Sequence, residues 1–450
     1  MIYVHVPFCR SFCTYCDFYS EVAARCRKAD DALKQEALFD EFIEAVCAEA
    51  LTRTGDITDE VNTLYIGGGT PSVLPLSAFG RLVGTLSDLA ARNSRHQDTG
   101  VLPCQSAPSP VAKHVFDEFT VEVNPEDIVE KGHAYVEGLL DLGVNRISMG
   151  VQSFDDAVLK FMNRRHSAAE AVRAYAILEE AGVRNISIDL IFGLPQLSME
   201  QWRETLDKAL SISSRGVLPQ HISSYQLSVE PGSMLARLVE KGVWSEAPEE
   251  VCHEQYSVLC ETLATSGYNH YEISNFARPG CEAVHNSAYW RHVPYVGLGP
   301  GAHSYIADTQ TPASSPEGRC SSRSIATRQW NRPDLQSYLV AGRLGDFSSI
   351  REGETLTLEQ LDLEHIMLGL RTSEGLPADY LRTHCNPSAL ANSLALGHLV
   401  PTPPSHPSSA LPQGSLQETA HADADILDDT FLRIPERHFF ISDSIISALV

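Results

Sequence analysis

The stretch IYVHVPFCRSFCTYCDF, residues 2–18, decides the fold of this chain. Its first part, Ile2–Val6, is mostly β-branched and aromatic, a composition that favours a β-strand, and the proline that follows marks the strand's end. Cys9, Cys13 and Cys16 come directly afterwards, within eight residues. We therefore expect a loop bearing three thiols at the carboxyl end of the first strand.

The three cysteines are a suitable donor set for an iron–sulfur cluster. Zinc prefers four ligands, typically as two spaced pairs, and the sequence has no second pair of this kind. Three thiolates suit a [4Fe-4S] cubane in which one iron keeps an open position. S-adenosylmethionine (SAM) can occupy such a position through its amino and carboxylate groups, and electron transfer then cleaves its sulfonium to a carbon radical. A zinc knuckle or chance clustering is the alternative interpretation.

Short β-branched runs alternate with helical patterns from residue 2 to about residue 228, which predicts parallel strands joined by crossover helices. We predict six strands: Ile2–Val6, Thr63–Ile66, Phe119–Val123, Arg146–Met149, Ile186–Phe192 and Ile222–Leu227. Capping boxes beginning at Ser167 and Ser198 predict two of the helices. The expected fold class is α/β, a partial TIM-like (β/α)6 barrel that gathers its chemistry at the carboxyl ends of its strands.

Composition shifts suggest three segments. We expect the barrel core in residues 1–228, a barrel extension in residues 229–345, and a small accessory domain, mostly helical and winged-helix-like, in residues 346–450. One clear helix, Leu358–Arg371, is predicted in the last segment. Three stretches rich in Ser, Pro or Ala are expected to be mobile insertions, namely residues 93–113, 306–326 and 400–425.

Charge and hydropathy exclude several classes of protein. The net charge of −24 argues against binding to nucleic acid or to an anionic membrane by charge alone. The C-terminal segment holds 5 Lys and Arg against 15 Asp and Glu, a difference of −10, so even a winged helix there would bind DNA poorly. The sequence shows no signal peptide and no run of about 18 apolar residues, so we expect a cytoplasmic protein without a transmembrane segment. The other eight of the 11 cysteines are scattered, as buried or free surface thiols would be.

The spacing CxxxCxxC and the surrounding YVHVPFC…CDF text resemble the radical SAM family. Within it, the chain resembles the branch that contains oxygen-independent coproporphyrinogen III oxidase and related haem chaperones. This resemblance covers nearly the whole chain outside the three insertions. It implies a [4Fe-4S] cluster on Cys9, Cys13 and Cys16, with SAM bound at the barrel mouth. The residues that match the SAM pocket of the family are Tyr3, Tyr15, Gly68, Gly69, Thr70, Glu122, Gln152, Arg164 and Asp189.

Two features favour the haem-chaperone members of this branch. The oxidase pattern has a further cysteine two residues after the third ligand, and this chain has Phe18 there. His285, Asn286, Tyr289 and Trp290 match the HNxxYW motif of the haem-binding members. The imidazole could reach haem iron, and the aromatic rings could lie against a porphyrin.

The resemblance therefore implies a chaperone that transfers haem to client apo-haemoproteins, with membrane contact only through such partners. Oxidative decarboxylation of coproporphyrinogen III stays the alternative activity, and whether SAM is cleaved productively is left open. For His285 the simpler interpretation is a packed, hydrogen-bonded core residue, as histidines beside aromatic rings usually are.

Overall fold

The structure, a computed structural model, describes residues 1–22, 29–58, 61–96, 115–307, 326–402 and 430–450. Most of the three predicted insertions, together with Cys26, Cys104 and Cys320, lies outside these residues. The ends of the predicted insertions do belong to regular elements, because a helix continues to His96, a strand continues to Ala307, and strands begin at Ala326 and Val400.

Seventeen strands are present in the described residues, and several contain only two or three residues. In chain order they are β1 Ile2–Val6, β2 Phe8–Cys9, β3 Glu21–Val22, β4 Thr63–Gly68, β5 Glu118–Val123, β6 Arg146–Gln152, β7 Ile186–Phe192, β8 His221–Gln226, β9 Asn269–Glu272, β10 Asn275–Ala277, β11 Val296–Leu298, β12 His303–Ala307, β13 Ala326–Asn331, β14 Arg351–Leu356, β15 Leu376–Pro377, β16 Val400–Thr402 and β17 Phe431–Arg433.

Fourteen α-helices accompany these strands in the same residues. They are α1 Ala29–Thr52, α2 Leu76–His96, α3 Pro125–Asp141, α4 Asp156–Phe161, α5 Ala168–Ala181, α6 Met199–Leu210, α7 Met234–Glu240, α8 Glu249–Thr265, α9 Val284–Trp290, α10 Leu335–Leu344, α11 Leu358–Gly369, α12 Ala378–His384, α13 Pro387–Ala395 and α14 Ser442–Leu449. None of the helices in the described part of the chain is both long and apolar enough to cross a membrane.

The core is a nine-stranded sheet with the order β11-β1-β4-β5-β6-β7-β8-β10-β9. The six strands from β1 to β8 in this order are parallel, and helices connect them, which confirms the predicted α/β fold with six βα units. At one edge β11 pairs parallel with β1, and at the other β10 and β9 are antiparallel. These edge strands were not among the six predicted ones.

Side chains alternate between the two faces of this sheet. The row that faces the helices is apolar and buried, and it includes Val4, Ile66, Val121, Ile147 and Ile188. The other row consists of polar side chains that line one cavity, namely Tyr65, Glu122, Arg146, Ser148, Asp189 and Ser223. The sheet must curve for side chains from all these strands to line one cavity. The sheet is therefore an open barrel with a polar interior, as the TIM-like prediction requires.

Local signals in the sequence set two helix ends correctly. Ser167 accepts a hydrogen bond from the Glu170 amide, and the Glu170 carboxylate accepts one from the Ser167 amide, so α5 opens with a complete capping box. The helix ends at Gly182, whose φ of 100° is costly for residues with a Cβ. The second predicted box, at Ser198 and Gln201, opens α6 in the same way.

The C-terminal segment is mostly helical. It contains α11 to α14 and the antiparallel sheet β15-β17-β16, and α11 ends at Gly369, two residues before the predicted end. A separate antiparallel sheet, β12-β13-β14, precedes α11. The division into three domains and the likeness to a winged helix stay predictions.

The carboxylate of Glu49 joins α1 to later parts of the chain. Glu49 is completely buried, and it accepts hydrogen bonds from the Gly299 amide at 3.0 Å, the Asn331 side chain at 2.8 Å and the Tyr338 hydroxyl at 2.7 Å. Arg351 donates a further bond at 3.1 Å. One acidic side chain thus connects the first crossover helix to the β11–β12 loop, β13, α10 and β14.

Candidate cofactor site in the barrel

A cavity of about 470 Å³ opens at the carboxyl ends of the barrel strands. The thiol-bearing loop and strands β4 to β8 form its walls. Twelve of the site residues expected from the sequence lie on those walls: Cys9, Cys13, Tyr15, Cys16, Gly68, Gly69, Thr70, Glu122, Gln152, Arg164, Asp189 and Asn286. Most of the residues singled out from the sequence therefore lie around one cavity.

The three thiols are free, and two of them already accept hydrogen bonds. The Thr70 hydroxyl donates to Cys9 Sγ at 3.5 Å, and the Arg164 guanidinium donates to Cys13 Sγ at 3.5 Å. Burial raises the pKa of Cys9, and burial together with the neighbouring cysteines raises the pKa of Cys16 to about 12. The raised pKa values favour the protonated forms of Cys9 and Cys16, and a metal group that binds these two thiols would displace their protons.

Asn124 connects the two donors, and the sequence-based prediction missed it. Its side-chain amide donates to Thr70 Oγ1 at 3.1 Å, and its Oδ1 accepts from Arg164 Nη2 at 2.6 Å. A continuous chain of hydrogen bonds thus runs from Cys9 through Thr70, Asn124 and Arg164 to Cys13. The available signal was position, because Asn124 directly follows β5 at the barrel's active edge.

Backbone contact between the thiol loop and the end of β4 explains the glycine run. A Cβ on Gly69 would lie 2.8 Å from the Phe8 carbonyl oxygen and 3.0 Å from Cys9 Sγ. Gly68 has a φ of 105°, a conformation that side chains rarely adopt. Only glycine fits at these two positions while the first thiol keeps its place.

The donor set fits a [4Fe-4S] cluster. A cubane takes each thiolate at a different iron, so its ligands attach at separate corners. Among the described residues, no three His, Cys, Asp or Glu side chains are arranged to hold one metal ion. Three thiols on one cavity wall, hydrogen bonds to two sulfurs and the close approach at Gly69 suit a bound group with several sulfur attachment points.

Two carboxyl groups line the same cavity as the thiols. Glu122 accepts hydrogen bonds from the Tyr65 hydroxyl at 2.7 Å and the Gly68 amide at 3.1 Å, while Asp189 accepts from Ser148 at 3.2 Å. Burial raises the pKa of Glu122 to about 7 and also raises the pKa of Asp189. Such groups can accept hydrogen bonds from ligand hydroxyls or pair with an ammonium group.

Gln152 reaches the cavity through a strained backbone. Its φ is 67°, in the left-handed region, and the β6–β7 register shifts between Gly150 and Gln152. A residue other than glycine in this region costs on the order of 1–3 kcal/mol, and such outliers cluster at ligand sites. The irregularity turns the Gln152 side chain onto the cavity wall.

Tyr3, expected in the SAM pocket, is not among the residues that line the cavity, and its place in that pocket stays a prediction. Its hydroxyl donates to His5 Nδ1 at 3.0 Å, because His5 Nε2 donates to the Tyr19 carbonyl at 2.8 Å. The Tyr3 ring lies 6.1 Å from that of Tyr65. Tyr3 is the register partner of Tyr65 on the neighbouring strand, so the two side chains lie next to each other.

The HNxxYW residues lie on α9 at the amino end of the barrel, and they face different surroundings. His285 is 1% exposed, with Nδ1 2.8 Å from Thr63 Oγ1 and Nε2 2.9 Å from the Tyr289 hydroxyl. Asn286 lines the barrel cavity, whereas Trp290 lines a second cavity of about 330 Å³. In this conformation both imidazole nitrogens are occupied, so His285 is a packed core histidine.

We predict that replacing His285 with Gln changes how stability depends on pH. Burial lowers the pKa of His285 to about 3, so this ring binds its proton mainly after unfolding. Keeping this ring neutral in the folded state therefore costs free energy as the pH falls below about 6.5, the pKa of histidine in the unfolded chain. Between pH 7 and pH 5.5 the wild type should lose about 1 kcal/mol more than His285→Gln in urea unfolding. Parallel curves for the two proteins would contradict a neutral buried imidazole.

Replacing Asn124 with Leu should break the hydrogen-bonded chain and leave all three thiols in place. We expect a cluster to assemble, with a lower reduction potential because the donors to the sulfurs are no longer held in position. Potentiometric titration monitored by electron paramagnetic resonance measures this potential. Asn145→Leu is the matched control, because Asn145 bonds the Phe119 amide at 2.7 Å outside the cavity. An unchanged potential in Asn124→Leu would show that the chain does not act on the sulfurs.

Comparison with protein families matches residues 3–209 to the radical SAM superfamily. Curated relatives named "Heme chaperone HemW" are 32% identical over 83% of this chain and 78% of the Synechocystis protein, and 33% identical over 83% of this chain and 84% of the Bacillus subtilis protein. The Danio rerio protein named "Radical S-adenosyl methionine domain-containing protein 1, mitochondrial" is 31% identical over 83% of this chain and 73% of its own length.

Among solved structures, coproporphyrinogen III oxidase HemN from Escherichia coli superposes with a TM-score of 0.66 at 20% identity. The superposition covers 99% of this chain and 89% of the oxidase. At this identity the likeness concerns the fold alone.

Proposed function

The chain belongs to the radical SAM superfamily, within the family of its HemW relatives, and on that basis we propose that it is a haem chaperone that delivers haem to client haemoproteins. The main structural support for this proposal is that residues of two motifs, the cysteine cluster and HNxxYW, line one cavity. Asn286 of the HNxxYW segment lines the same space as the three thiols. A cytoplasmic location, and membrane contact only through partners, form part of the proposal.

Membership of the superfamily implies a [4Fe-4S] cluster and SAM as cofactors. When bound, the cluster supplies a reducing electron and an open iron position for SAM. We assign Cys9, Cys13 and Cys16 as the cluster ligands. Thr70 and Arg164 orient two of these thiols through their hydrogen bonds.

The remaining cavity residues would bind SAM. Glu122 and Asp189 present acceptors for hydroxyl or ammonium groups, and Gln152 adds an amide at the rim. Tyr15, half-buried on the cavity wall beside the thiols, would restrict access of water to them. Holding reactive groups away from water is the protein's usual part in cofactor chemistry of this type.

Haem contact is assigned to α9. Because Asn286 and Trp290 line different cavities and His285 Nε2 is bonded to Tyr289, the four motif residues can contact one haem only after α9 changes its packing. We infer that haem loading includes such a rearrangement.

The test is a haem titration of the anaerobically reconstituted full chain, followed by transfer to apomyoglobin. We expect stoichiometric binding and transfer, weakened in Trp290→Ala. Trp244→Ala is the control, because Trp244 stacks on Phe161 away from α9. Failure of the wild type to bind haem would overturn the proposal.

The alternative activity, decarboxylation of coproporphyrinogen III, is decided by a parallel assay with substrate, SAM and reductant. Phe18, at the place of the oxidase's extra cysteine, is 62% exposed at the cavity mouth and offers no thiol. We therefore expect no carbon dioxide and no vinyl product. Their appearance would favour the oxidase over the chaperone.

A further inference from the structure

Arg146 is a buried cation without a partner. It is the first residue of β6, it is 2% exposed, and it lines the barrel cavity. Its Nε is buried without a hydrogen-bond acceptor, and none of the residues that the structure describes forms a hydrogen bond or close ion pair with the guanidinium. A buried charge without a partner typically costs several kcal/mol, so an anionic ligand in contact with it would be strongly favoured.

The cavity carboxyl groups do not neutralise Arg146. Its charge acts on both Glu122 and Asp189 and favours their ionised forms, yet burial still raises the pKa of Glu122 to about 7. Glu122 accepts its hydrogen bonds from Tyr65 and the Gly68 amide, Asp189 accepts from Ser148, and within the described residues neither carboxylate forms an ion pair with Arg146. Arg146 is therefore close enough to influence these groups and too far away to pair with them.

The position of Arg146 points to α9. Arg146 begins β6 and Thr63 begins β4, so both lie at the amino end of the parallel strands, where Thr63 bonds His285. The charge of Arg146 also contributes to the lowered pKa of His285. Asn286 closes the same end of the cavity from α9. A ligand held by α9 could thus place an anionic arm on Arg146.

We propose that Arg146 recognises a carboxylate, namely a propionate of the haem assigned to α9; this inference rests on the proposed function. Guanidinium groups bind carboxylates through two parallel hydrogen bonds, and the planar donors of arginine suit this geometry better than a lysine ammonium. The carboxylate of SAM has the same chemistry, and the experiment distinguishes the two sources.

The test compares haem with its dimethyl ester, in which both propionates are blocked. Wild-type full chain should bind haem about 10- to 100-fold more tightly than the ester, as expected for one charge-assisted pair. In Arg146→Met this preference should fall to about one. Arg53→Met is the matched control, because Arg53 is equally buried and lies outside the cavity. It should keep the preference for haem.

Four outcomes overturn or confine the inference. An unchanged preference in Arg146→Met, or no preference in the wild type, overturns it. So does a loss of SAM affinity in Arg146→Met with the haem preference intact, because the carboxylate is then that of SAM. If the wild type binds neither haem nor its ester, the proposed function fails together with the inference. Should Arg146→Met not fold, Arg146→Lys retains the charge and should still lose most of the preference.

Discussion

Replacing Cys13 with Ala should abolish the iron–sulfur cluster while leaving the fold intact. Cys13 is one of three thiols on a single cavity wall, and its sulfur accepts a hydrogen bond from Arg164. Removing one of the three proposed ligands should lower the bound iron and sulfide more than about 10-fold, since even outer partners of a metal ligand contribute that much. Chemical analysis after anaerobic reconstitution, with circular dichroism as the check on folding, measures the effect.

Cys47→Ala is the matched control, because Cys47 lies on α1, away from the cavity. It should bind as much iron and sulfide as the wild type. Stoichiometric zinc in place of iron in the wild type would contradict the cluster and favour the zinc interpretation of the same thiols. Cluster content unaffected by Cys13→Ala would remove this residue from the ligand set.

Glu49→Ala should be the most damaging substitution for stability. It would leave the Asn331, Tyr338 and Arg351 donors and the Gly299 amide without their shared acceptor. Removing one member of a buried charged network typically costs about 3–5 kcal/mol. Equilibrium unfolding in urea should show a loss of this size.

Glu41→Ala provides the control on the same helix. Glu41 pairs with Arg343 at the surface, and an exposed pair of this kind contributes about 0–1 kcal/mol. If both variants lost a similar free energy of unfolding, the buried hydrogen bonds of Glu49 would contribute no more to stability than an exposed ion pair. Glu49→Gln, which keeps the shape and loses the charge, should lie between them.

The parallel core was predictable because its signals are local. β1 and β7 have the predicted bounds, and the capping boxes at Ser167 and Ser198 form as expected. The cavity residues followed from a simple rule, since chemistry gathers where parallel strands end. Membership of the radical SAM superfamily, predicted from the cysteine spacing, is confirmed.

Other features depend on contacts between distant parts of the chain, which no local pattern encodes. In the sequence alone, Glu49 looks like an ordinary polar residue of an amphipathic helix, because its partners lie 250 or more residues later in the chain. Tyr3 alternates as expected along β1, but its hydrogen bond to His5 could not be predicted from the sequence. His285 matched a motif, but its two bonded nitrogens became visible only in three dimensions.

The alternation of the barrel strands separates the demands of folding from those of ligand binding. The apolar side chains pack closely against the helices and stabilise the fold, so their volumes can change little. The inward rows line the cavity and contribute less to that packing. Exchange of a few interior side chains should therefore change what the cavity binds while the packing between sheet and helices is kept.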